Sequence, residues 1–73
     1  MNATLSNKNE ICNYSFFVEH EGKGYNVLYT KNNGKVIDEN IFFNGEELDF
    51  VGKEGQIRKD ITTYLDKNWD KLV

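Results

Sequence analysis

A chain of 73 residues has room for one domain and one core, and a separate active-site cavity would compete with that core for side chains. A hydrophobic fraction of 38% beside 29% charged residues excludes a disordered chain, and aromatics at 14% enrich what so short a core can bury. The net charge of −3 offers no basic surface to phosphates, and the single cysteine excludes an internal disulfide framework.

Residues 1–10, MNATLSNKNE, are polar and without periodicity, which predicts a flexible tail ahead of a single α+β domain over residues 11–73. The tail has no apolar stretch of signal-peptide length. No run in the chain approaches the roughly 20 apolar residues of a membrane span. With one cysteine besides, these features point to a cytoplasmic protein without membrane contact. Cys12, near the first predicted strand, reads as a small buried hydrophobe, because no neighbouring histidine or second cysteine would activate it.

From about Cys12 to Phe50 the chain reads as strands divided by turn signals. In EGKG, Gly22-Lys23 suits a type II′ hairpin with glycine first. Asn32-Asn33-Gly34 suits a three-residue loop, and Asn44-Gly45 is the strongest short hairpin signal in the chain. Each turn sets a register. The first pairs His20 with Tyr25, Val18 with Val27 and Phe16 with Tyr29. The second pairs Tyr25 with Ile41, Val27 with Glu39 and Tyr29 with Ile37. The third pairs Phe43 with Glu46, Ile41 with Leu48 and Glu39 with Phe50. One face then gathers Tyr14, Phe16, Val18, Tyr25, Val27, Tyr29, Ile37, Ile41, Phe43, Leu48 and Phe50. Three turns agree on one apolar face, which predicts a four-stranded antiparallel meander.

Beyond Lys53 the period changes. Ile57, Ile61, Tyr64, Leu65, Trp69 and Leu72 recur at helical spacing, while Asp60, Asp66, Lys67, Asp70 and Lys71 fall elsewhere on the wheel. Gly52 or Gly55 would open this helix as a weak cap. The expected architecture is ββββα, with the C-terminal amphipathic helix packed on one face of the sheet.

Catalytic chemistry finds little support. The lone His20 is flanked by Glu19 and Glu21, but strand alternation sends those carboxylates to the opposite face, so the three make a poor metal site. Glu46, Glu47 and Asp49 lack the glycine-turn spacing of a calcium loop and read as charges guarding an edge strand. The glycines of GKGY and VGKEG match no phosphate or dinucleotide motif. No metal or cofactor is expected. Two charges break the apolar pattern. Glu39 lands on the core face and Arg58 within the helical stripe, where an isolated charge is costly and a pair is tolerated. They are expected to pair.

The second sheet face is unusual, because Phe17, Leu28, Val36 and Phe42 fall on it among Ser15, Asn26, Thr30 and Asn40. The strand–strand–strand–helix order is similar to DNA-binding domains that lay a sheet in the major groove. Those need basic sheet residues, whereas this face offers Glu19, Asp38, Glu47 and Asp49. It is also similar to antitoxin domains that begin with a βββα unit, whose proline-containing turn is missing from a chain without proline. Neither resemblance reaches a motif. The expected function is therefore non-enzymatic: a protein–protein interaction module, such as an adaptor, inhibitor or accessory subunit. It would bind a protein partner, or a second copy as a homodimer, through Phe17, Leu28, Val36 and Phe42. The alternative is a binder of single-stranded nucleic acid or a small ligand that stacks on Phe17 and Phe42, and the charge disfavours nucleic acid.

Overall fold

The computed structural model describes residues 1–8 and 13–73. Its elements in chain order are β1 (Asn2–Lys8), β2 (Asn13–His20), β3 (Lys23–Asn32), β4 (Lys35–Phe43), β5 (Glu46–Glu47), α1 (Gly52–Lys67) and α2 (Trp69–Leu72). Among the described residues they form an antiparallel sheet of order β1-β2-β3-β4-β5 with the C-terminal helices on one face. The α+β class and the meander are as expected, with five strands in place of four. The additional strand is β1, in the region expected as a flexible tail. Ala3 and Leu5 pair with Val18 and Phe16 and pack against the core, while Thr4 pairs with Phe17. Few of its residues bury anything, so it is the exposed edge of β2 that templates it. Cys12 lies outside the described residues.

The three hairpins that follow β2 close with two-residue turns in which both central residues have positive φ: Glu21-Gly22, Asn33-Gly34 and Asn44-Gly45. This type I′ geometry matches the right-handed twist of paired strands. The third turn is as expected. In the first, Glu21 replaces Lys23 as a central residue, and His20 pairs with Lys23, Val18 with Tyr25 and Phe16 with Val27. The pairing slips by two positions, one full strand repeat, so every side chain keeps its face.

The second hairpin pays for its tighter turn with a bulge. Val27 pairs with Ile41 and Tyr29 with Glu39, yet beyond Thr30–Asp38 the partners are Lys31–Val36 and Asn32–Lys35. The turn and the apolar face demand registers one residue apart, and Ile37 is the residue left over. Ile37 is therefore exposed instead of buried. Phe50 is the second correction. The sheet ends at Glu47, so Phe50 never pairs with Glu39 and stands out in solvent.

The core contains Phe16, Val18, Tyr25, Val27, Tyr29, Ile41 and Leu48 from the sheet side, closed by Ile61 and Leu65 of α1. Trp69 and Leu72 pack at its border, next to Ala3, Leu5 and Tyr14. Asn68 breaks the helix, with its N–H and its side-chain amide both donating to the Tyr64 carbonyl. The helix starts at Val51 without a side-chain cap, where Gly52 takes φ +68°. Glu54 Oε1 instead accepts the Asp49 N–H at 2.7 Å.

Gly55 has a separate role, because a methyl group there would lie 2.5 Å from the Phe50 carbonyl oxygen. Glycine to alanine inside a helix ordinarily gains about 1 kcal/mol. Here the obstacle is backbone, so Gly55→Ala is expected to lose about 1–2 kcal/mol net through overpacking. The urea midpoint checks this, and a raised midpoint would show that the Phe50–Gly55 approach opens freely.

Candidate interaction surface

Among the described residues the sheet is covered on one side only. On the open side the cross-strand row Thr4, Phe17, Asn26, Phe42 and Glu47 runs from β1 to β5, and beside it run Ser15, Leu28 and Asn40. Phe17 and Leu28 keep 43% and 45% of their surface exposed, and Phe42 is half-buried. Leu28 is diagonal to both rings, so the structure brings these three expected site residues onto one face. The expected Val18–Val27 register would set Phe17 opposite Leu28, and the slip of the first hairpin separates them. Phe17 faces Asn26 and Leu28 faces Ser15.

Val36 departs from this group. It pairs with Lys31, whose ammonium lies 3.6 Å from the Trp69 ring centroid on the helix side. Paired residues share a face, so the Ile37 bulge has carried Val36 across the sheet.

Phe17 also has a structural task. Its ring covers Gly24, where an added methyl group would meet Cζ at 2.7 Å. An aromatic side chain over a strand glycine shields backbone that glycine leaves bare. Leu28 covers no comparable gap.

Polar groups around this face are tied to one another. Asn40 Nδ2 donates to Glu47 Oε2 at 2.8 Å, and Thr30 Oγ1 donates to Asn13 Oδ1 at 3.0 Å. Glu19, Asp38 and Glu47 place carboxylates towards its borders by register, with Lys35 at the β3–β4 corner. The face is thus apolar at its centre and mainly acidic at its edge. Such a surface repels phosphates and complements a partner with basic flanks.

The expected charge pair forms at the β4–β5 edge of the sheet, where Glu47 Oε2 lies within reach of both Asn40 and Arg58. Arg58 is 3% exposed, yet Nη1 donates to the Leu48 carbonyl at 3.0 Å and Nη2 to the Glu39 carbonyl at 3.3 Å. Glu39 Oε1 and Glu47 Oε2 each stand 3.8 Å from the guanidinium, and the Phe50 ring lies over it at 4.1 Å. Burial pushes the Glu39 carboxyl up, Arg58 draws it down, and Asp66 and Asp38 raise it further. Arg58 therefore stitches α1 to β4 and to the chain after β5. Its carbonyl bonds make it structural.

Elsewhere among the described residues, two further titratable groups stand out. His20 Nε2 is 3.9 Å from Asp60 Oδ2. The Tyr29 hydroxyl is buried without a hydrogen-bond partner among the described residues, and burial, then Asp66 and Glu39, push its pKa up. Among the described residues no group of three or more His, Cys, Asp or Glu could hold a metal ion. No described helix is long and apolar enough to cross a membrane.

A second apolar surface, not expected from the sequence, is formed by Val36, Ile37 and Phe50 beside the bulge. The Asn33-Gly34 pair, read as a two-residue turn, was the signal for it, since that register strands one residue of β4. No family model, curated protein or solved structure matches the chain.

Proposed function

We propose that this chain works by protein–protein contact, as an adaptor, inhibitor or accessory subunit, and that the open sheet face is its partner surface. The observation that carries this reading is Leu28, large, apolar, 45% exposed and unneeded by a core that closes entirely on the other side. Phe17 and Phe42 extend its apolar surface, and the acidic border selects a partner with basic flanks. A single cysteine fits the reducing cytoplasm as the place of action.

Leu28→Thr tests the proposal, because it keeps strand propensity and removes only the exposed apolar group. Stability should change by no more than about 0.5 kcal/mol. Binding should fall by about 2 kcal/mol if Leu28 anchors the contact. The experiment captures a partner with the wild-type chain, purifies it and titrates it against both proteins beside a circular-dichroism melt. Equal affinity for both proteins would remove the open face from the contact. Phe17→Ser is the poorer probe, since it also uncovers Gly24.

A further inference from the structure

The β4 edge carries an apolar surface apart from the open sheet face. Ile37 is 61% exposed, Phe50 74% and Val51 75%, and Val36, Ile37, Asp38, Glu39 and Phe50 line a shallow groove of about 370 Å³. β5 pairs only with Phe42 and Phe43, so no strand of the described chain lies alongside Val36–Glu39. Bulges and charges on an edge ordinarily keep it from pairing. Scattered exposed apolar residues are equally ordinary, but several large ones gathered at one open edge are not.

We propose that this edge meets the same edge of a second copy of the chain. The charges along it are self-complementary. Lys35 stands at one end and Asp38 towards the other, both on the open-face side by register. A two-fold axis near Ile37 runs the two edges in opposite directions and brings each Lys35 to Asp38 of the other copy. Ile37 and Phe50 then pack across the axis, as an isologous contact requires. With the axis perpendicular to the sheets, both helices lie on one side and both open faces on the other. The dimer presents two partner surfaces side by side, which deepens the proposed function without depending on it.

Sedimentation equilibrium of the full chain, from about 1 to 300 μM, reads the association directly. The wild type is expected to dimerise within that range. Ile37→Lys should weaken association about tenfold or more while the melt at low concentration stays unchanged. Lys35→Glu should weaken it similarly, and Lys35→Glu combined with Asp38→Lys should restore it. The charge pair keeps the test open if the Ile37 variant folds poorly, since Lys35 and Asp38 are both exposed. A wild type monomeric throughout overturns the proposal, as does a dimer indifferent to these changes. Failure of the double charge change to restore association also overturns it. A dimer broken by Leu28→Thr instead places self-association on the open face and overturns it too.

Discussion

Trp69→Ala should cost about 3 kcal/mol, the lower end of the range for a large aromatic because the indole is only half-buried. The ring joins three others. It stacks on Tyr29 with centroids 5.8 Å apart and meets Tyr14 and Phe16 edge-on at 4.9 Å and 5.4 Å. Lys31 closes the outer side at 3.6 Å, a cation–π contact worth about 0.5–1 kcal/mol near solvent. Alanine forfeits all four contacts and opens the end of the core where α2 meets β1. A domain this small has only a few kcal/mol in reserve, so the variant is expected to be largely unfolded at 37 °C. Trp69→Phe keeps an aromatic ring in place and should lose about half as much. Thermal melts of the three proteins check this. Coincident curves would mean that the indole carries no packing energy.

Arg58→Met should cost about 2 kcal/mol, most of it from carbonyls left without donors. Methionine fills much of the space that the arginine stem occupies, so the cavity contribution is small. The carboxylates of Glu39 and Glu47 are more than a third exposed and 3.8 Å away, so water screens their share. The bond to the Leu48 carbonyl is buried and that to the Glu39 carbonyl part-buried, so water replaces the lost donors less readily there. Glu39→Gln should cost much less, and the double change should show coupling above about 0.5 kcal/mol in a mutant cycle. Strict additivity in urea melts would show that the carboxylate and guanidinium ignore each other.

The contact between Glu39 and Arg58 was legible because two charges interrupted two apolar patterns, and a core admits such charges only together. The helix was legible from Ile61 and Leu65 at a four-residue spacing. The meander was legible from three glycine turns whose registers agreed. The first register, and the second from Asn26 to Thr30, differ from expectation by a full strand repeat, and that kind of error leaves Phe17 and Leu28 on the open face. A one-residue conflict in the second hairpin is different. It produces the bulge, exposes Ile37 and transfers Val36, and its sign in the sequence is Asn33-Gly34 taken as a two-residue turn. β1 was illegible for another reason. NATLSNK has weak strand character of its own, and it becomes a strand because β2 presents an unpaired edge. Phe50 looked like core because its parity suited β5, but β5 stops after Glu47 and the next residues lead into α1.

The uncovered sheet face, centred on Leu28, is the proposed surface for a protein partner. Methyl-resolved NMR of the leucine- and isoleucine-labelled chain, titrated with the purified captured partner, tests it most directly. Leu28 methyl signals are expected to shift or broaden while Ile61 and Leu65, buried beneath the sheet, hold their positions. Leu28 signals unmoved while those of Ile57 on the helix, or Ile37 at the bulge, respond to the partner would contradict it.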